Sequence, residues 1–138
     1  MKSRIKYCLM ALIVFVCSCK KESSNNALIG KWKLAESYVG TGSGNTDKWM
    51  PVDPKSNLDV QFYKDGNLGG NSYPIYKSYS IKDNKIVTFY KPDGTYEDFT
   101  YTIANNSLTL SPAGPIVCVE GCAYRYVNVN NSLRQLLP

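Results

Sequence analysis

Ala27-Leu28-Ile29-Gly30-Lys31-Trp32-Lys33-Leu34 is the first segment after a polar spacer that can join a fold, and it holds one of the chain's two tryptophans. A glycine two residues before a tryptophan, at the start of a strand, has a specific use. Without a Cβ the backbone turns in tightly at Gly30, and the indole of Trp32 behind it plugs one end of a small barrel. Residues 28–39 read as the first strand, with Trp32, Leu34 and Tyr38 on one face at period two.

Working outward, residues 40–47 are a loop by composition. Residues 48–54 read as an irregular crossing, because Pro51 and Pro54 oppose regular pairing. A regular rhythm starts at residue 57. Leu58, Val60 and Phe62 alternate with Asp59, Gln61 and Tyr63, and Asp65-Gly66 follows as a hairpin signal. Further strands are expected over 67–71, 76–82, 85–90, 95–104, 107–111 and 122–129. Turns fall at Asp83-Asn84, Pro92-Asp93-Gly94 and Asn105-Asn106, and Ala113-Gly114-Pro115 opens a loop containing two cysteines. The tail 130–138 has room for a helical turn around 133–137. Eight strands joined by short turns, with no helix in the domain body, form a meander. The fold class is therefore all-β. The expected architecture is an eight-stranded antiparallel up-and-down barrel, wide enough for a packed core or one small ligand. An open two-sheet β-sandwich is the alternative.

The length of 138 residues suits one domain, placed at 27–138. Residues 1–18 read as a signal peptide. Lys2, Arg4 and Lys6 form a positive n-region, and the apolar run over 7–16 is too short to span a bilayer. Val16-Cys17-Ser18-Cys19 resembles the lipobox of bacterial lipoproteins, with an aliphatic residue three before a cysteine and a small one just before it. Cys17 fits that pattern less well, because bulky Val16 would sit at the cleaved bond. The resemblance implies cleavage before Cys19, lipidation of its thiol and acylation of its new amino group. Two or more acyl chains on one residue hold a protein stably to a membrane. An ordinary secretory signal with incidental cysteines is the competing reading. Residues 19–26 then form a flexible polar tether. Loss of the three signal cations takes Lys+Arg from 16 to 13 against 11 acids, so the net charge falls from +5 to +2. The basicity belongs largely to the signal, and no nucleic-acid partner is implied.

Cys118 and Cys122, four apart, pair most simply as a disulfide outside the cytoplasm. A redox motif and half of a metal site are the other readings, but no histidine exists to complete a metal site. Absence of histidine also removes the usual general base and the common triads. Glu97 and Asp98 are adjacent, so on a strand they face opposite ways and cannot act as a pair. Gly66, Gly69 and Gly70 sit in a hairpin with no helix to follow, which is not a phosphate loop. No enzyme activity, cofactor or metal is expected. Ten tyrosines remain once Tyr7 leaves with the signal. They suit a pocket lining or an interface, and equally a half-wet sheet face.

With Gly30-Lys31-Trp32, the hairpin Phe62-Tyr63-Lys64-Asp65-Gly66-Asn67 and Arg125 in the final strand, the chain resembles the lipocalin-like family. The similarity is to its small lipid-anchored members in Gram-negative bacteria and covers about residues 27–130. It implies that Arg125 packs across Trp32, joining cation–π stacking to backbone hydrogen bonds, so that Gly30, Trp32 and Arg125 close the barrel. It implies a lipoprotein anchored in the cell envelope, at the outer membrane. The expected function is non-enzymatic binding of a small apolar or amphipathic ligand in the interior. Leu58, Val60, Phe62, Phe99, Tyr101, Ile103, Leu108 and Leu110 would line that interior, with the 40–54 loop near a rim. The alternative is a protein-binding module with a filled core. It would be an inhibitor or accessory subunit of an envelope complex, meeting its partner through exposed aromatics and the Cys118–Cys122 loop.

Overall fold

The computed structural model describes residues 23–40, 48–118 and 121–129. The signal peptide, Cys19, residues 41–47 and the tail helical turn lie outside the described residues. One short helix, α1 (Ser23–Leu28), precedes nine strands. These are β1 (Gly30–Val39), β2 (Lys48–Pro51), β3 (Asp59–Phe62), β4 (Leu68–Gly70), β5 (Ser78–Ile81), β6 (Ile86–Tyr90), β7 (Tyr96–Ala104), β8 (Ser107–Gly114) and β9 (Cys122–Asn128).

All strand pairs are antiparallel, in the order β4-β3-β1-β9-β8-β7-β6-β5. A short seam completes the ring between β4 and β5. Asn67 bridges Ser78, Leu68 N donates to Lys77 O at 2.9 Å, and Tyr79 N donates to Gly66 O at 2.8 Å. Apart from β2, and from β1 and β9 where the first strand meets the last, neighbours around the ring are neighbours in sequence. The protein is thus an eight-stranded up-and-down barrel formed by one continuous sheet, and the sandwich alternative is excluded. Closure leaves the short β2 as the free edge among the described strands, where an open sheet would expose two long ones.

Three expectations need correction. The first strand starts at Gly30, not residue 28, and the end of the expected tether is helical. Leu28 in the last turn of α1 is fully buried, and its carbonyl accepts the buried Trp32 Nε1–H at 2.9 Å. That bond satisfies one of the carbonyls a helix C-terminus leaves unpaired. The 48–54 segment begins not as an irregular crossing but as β2, which pairs with β1 from Glu36↔Pro51 to Val39↔Lys48. Pro51 is tolerated because it ends an edge strand, where no ladder donor is needed. Finally, Trp32, Leu34 and Tyr38 do not share a face. A bulge between Leu34 and Glu36 adds a residue to β1 opposite β9 and reverses the alternation beyond it. Trp32 and Leu34 point inward, while Tyr38 stacks outside on Trp49 with ring centroids 5.5 Å apart.

The interior is one cluster in which Trp32, Leu34, Val60, Phe62, Val87, Phe89, Phe99, Leu108, Leu110 and Tyr126 meet. α1 and the turns after β3, β5 and β7 occupy the end plugged by Trp32. The segments 71–77 and 91–95, with residues 115–118, surround the opposite, open end, which the strand register places beside Val39, Cys122 and Gly114.

Candidate ligand site at the open end of the barrel

Segment 71–77 dips into the open end, and Gly70 makes that entry possible. Its φ is +91°, and a Cβ there would lie 2.4 Å from Asp59 O. Only glycine allows both this conformation and this approach. The next two amides, of Asn71 and Ser72, donate to that same carbonyl at 3.1 and 2.9 Å. The Asn71 side chain clamps the segment further: Asp59 N donates to its Oδ1 at 2.9 Å, and its Nδ2 donates to Asn57 O at 3.0 Å. Pro74 then leads a turn closed by Tyr76 N to Tyr73 O at 3.1 Å.

This turn places Tyr73 over the top of the core. Its ring lies 5.2 Å from Phe89, 5.3 Å from Phe99 and 6.4 Å from Tyr76, in edge-to-face arrangements. Together with Ser72, Pro74, Ile75, Tyr76, Glu97, Phe99, Pro112 and Tyr124 it lines a pocket of about 320 Å³. That is at the small end of the usual range for ligand sites. Wider depressions near Ile29 and near Thr100 are walled mainly by exposed or half-exposed side chains.

The polar groups here decide what the pocket can hold. Tyr76 donates its hydroxyl to the Glu97 carboxylate. Ser72 Oγ and Tyr73 OH are buried without a hydrogen-bond partner. The Tyr126 hydroxyl acts on both Tyr73 and Ser72 as a hydrogen-bonding neighbour, but no bond of ordinary geometry joins it to either. Burial raises the Tyr73 phenol well above its ordinary range, with smaller contributions from Tyr126, Tyr124 and Glu97. Tyr76 is pushed up to about 12 by burial, then by its bond to Glu97 and that group's charge. Burial also raises Tyr126. With Tyr73 and Tyr76 held as neutral phenols, the pocket presents aromatic walls and the Glu97 side chain. It can bind an amphipathic molecule by stacking on that molecule's body and hydrogen bonding to its head.

Of the eight side chains expected to line a central cup, Phe99 alone borders this pocket. Val60, Phe62, Leu108 and Leu110 are 0–1% exposed and fill the barrel. Tyr101 and Ile103 border the shallow depression near Thr100, and Leu58 packs partly against the core. The expected stacking of Arg125 on Trp32 is not present. On β9 Tyr126 points inward and Arg125 outward, so the guanidinium lies on the outer wall while Trp32 is buried inside. There it sits 3.9 Å over the Trp49 ring and pairs with Glu36. Gly30 does make the expected turn, at φ +137°, and Leu28 rather than Arg125 is the partner that holds Trp32 at the closed end. Cys118 and Cys122 are joined by a disulfide with Cα atoms 5.7 Å apart.

Sequence reasoning missed Glu97, Ser72, Tyr73 and Tyr76 as site residues. For Glu97 the signal was available. It stands two residues before Phe99 in the inward series Phe99, Tyr101, Ile103, so the alternation that assigned their face assigned its face too. For the loop residues no periodic signal exists, since their placement depends on Gly70 and Asn71. No protein-family profile matches this chain, and no curated protein matches it in sequence.

Proposed function

We propose that this protein is a small lipid-anchored envelope protein of the lipocalin-like kind that binds a small amphipathic molecule without transforming it, at the mouth of its barrel rather than deep inside. The observation that carries the reading is the aromatic mouth pocket walled by Tyr73, Tyr76, Phe99 and Tyr124 with the Glu97 carboxylate beside them; the hydroxyls of its Ser72 and Tyr73 are buried behind that wall without a hydrogen bond of ordinary geometry. A buried polar group lacking a hydrogen bond costs about 1–3 kcal/mol, so a ligand head group that displaced the wall enough to reach those hydroxyls would gain a bond that the free protein lacks. The anchor assignment rests on the leader and Cys19. α1 joins β1 at the plugged end, so a lipid on Cys19 would leave the pocket facing away from the membrane surface.

The experiment is titration of the uncharged dye N-phenylnaphthylamine into the mature protein. It is paired with native mass spectrometry of the protein purified from its own host. Saturable one-to-one dye binding, weakened by Tyr124→Trp at the pocket wall and displaced by a retained small molecule, is the expected result. Lack of both saturable binding and any retained molecule would reject the proposal.

A specific feature also favours contact with an envelope protein. Ile116 and Val117, beside the disulfide, and Ile75 across the mouth are 68%, 61% and 55% exposed. A photo-crosslinker at position 117 should give one discrete adduct in intact cells if these residues dock on a partner. Dye affinity should not change in Ile116→Ser/Val117→Ser.

A further inference from the structure

We propose that the ligand of the mouth pocket is an organic ammonium ion: a protonated amine on a small apolar or aromatic body, held between the Glu97 carboxylate and the surrounding aromatic rings. This deepens the small-molecule reading above and rests on it.

The pocket is an open depression, and its case rests on the electrostatics of its lining. Among the described lining residues, Tyr73, Tyr76, Phe99 and Tyr124 contribute four aromatic rings and Glu97 contributes the one formal charge, with no cation beside them. Aromatic faces carry negative quadrupole density and attract cations, most strongly where water is excluded. A cation already exploits this wall. Lys91 Nζ lies 5.8 Å from the Tyr76 ring centroid, although Lys91 does not line the pocket.

The hydrogen-bonding inventory points the same way. An ionised carboxylate only accepts, through about four lone-pair positions, and Tyr76 occupies one of those on Glu97. Ser72 Oγ and Tyr73 OH are buried behind this lining, so Glu97 is the acceptor that the pocket itself presents. A primary ammonium is the complementary head, with three donors and no acceptor. A carboxylate or phosphate head would instead meet Glu97 with like charge. The volume of about 320 Å³ limits the body to a small one.

The test is calorimetric titration of the mature protein with phenethylamine, phenylethanol and phenylacetate, three probes that share a body and differ in charge. Phenethylamine should bind at least about tenfold more tightly than phenylethanol, a step set by one desolvated cation–π contact with the carboxylate in support. Phenylacetate should be weakest. Glu97→Gln should bring the amine to the level of the alcohol and leave the alcohol unchanged. Should Glu97→Gln fail to fold, Tyr124→Leu decides, since it removes a ring and keeps the carboxylate. It should cost the amine several-fold more than the alcohol. Equal binding of amine and alcohol, or equal weakening of both by either substitution, overturns the ammonium assignment and leaves mouth binding intact. Absence of all three probes while the dye binds overturns it as well. Absence of dye binding too removes the mouth reading with it.

Discussion

Tyr73→Phe tests the central physical argument, because generic expectation and the structure disagree about its sign. Most substitutions of a packed tyrosine destabilise. Here the ring keeps its contacts with Phe89, Phe99 and Tyr76, and only the hydroxyl is lost. That hydroxyl is buried and makes no hydrogen bond of ordinary geometry, Tyr126 being its one hydroxyl neighbour, so folding strips its water and returns little. Deleting such a group should recover part of a desolvation cost of about 1–3 kcal/mol. A gain of about 1 kcal/mol is expected, or about 4 °C in Tm for a domain of this size.

The assay is urea unfolding followed by circular dichroism, where the midpoint should rise at unchanged m. Affinity for the dye's competitor, whether a retained molecule or phenethylamine, should fall in the same variant. A lower midpoint, by the equivalent of about 0.5 kcal/mol or more, would show that the hydroxyl is already bonded in the folded protein. The argument that the pocket floor awaits a polar group would then fail.

Gly70→Ala should cost about 3 kcal/mol or more, since it adds a Cβ 2.4 Å from Asp59 O at φ +91°; urea unfolding checks this, and a loss below about 0.5 kcal/mol would contradict the placement of segment 71–77. Arg125→Ala removes the stack on Trp49 and the pair with Glu36, both on a half-exposed wall, so about 1–2 kcal/mol is expected. In a Trp49→Phe background the buried Trp32 emission should not respond to Arg125→Ala; a shift would revive the cross-barrel stack. The alkaline limb follows from Tyr76, whose folded value of about 12 exceeds its ordinary 10. The unfolded chain releases that proton first, so its contribution is complete below pH 10 and disappears as pH rises through about 12. Denaturant midpoints that stay flat across this window, while tyrosinate absorbance develops, would contradict the burial of that phenol.

What could be read in advance divides according to the range of the interactions involved. The hairpin signals and period-two runs are local, and they located all eight barrel strands to within a few residues at most boundaries. The Asp65-Gly66 and Asn105-Asn106 turns fell where adjacent strands needed them. Gly30 and Trp32 were legible for the same reason, because a turn and a plug lie within one short stretch. Arg125 was misread because its facing depends on its neighbours. Tyr126 takes the inward position, and the bulge at Leu34/Glu36 sets which β1 residues meet β9. A single inserted residue changes the face of everything beyond it. No pattern within β1 reveals the bulge. The pocket was illegible for a related reason. Ser72 and Tyr73 reach the barrel only because Gly70 and Asn71 tie their segment to β3, some twelve residues earlier.

The two ends of the barrel obey opposite rules, and that contrast assigns them their roles. At the plugged end the buried indole donor is satisfied, with Trp32 Nε1–H on Leu28 O, and Leu28 itself is fully buried. An arrangement without unmet hydrogen bonds maximises stability and has nothing to offer a ligand. At the open end, side chains of the same aromatic kind surround two unpartnered hydroxyls and a carboxylate. Phenylalanine and alanine in place of Tyr73 and Ser72 would leave fewer polar groups to desolvate. Two such groups at about 1–3 kcal/mol each are a sizeable share of the 5–15 kcal/mol that keeps a domain folded. An interaction that offsets that cost is therefore to be sought in the ligand-bound protein. If Tyr73→Phe and Ser72→Ala each stabilise the free protein, and each weakens the same ligand, that interaction is binding at the mouth. If they stabilise and leave every ligand's affinity unchanged, the polar floor is an uncompensated cost of the loop's geometry, and the open end has no binding role.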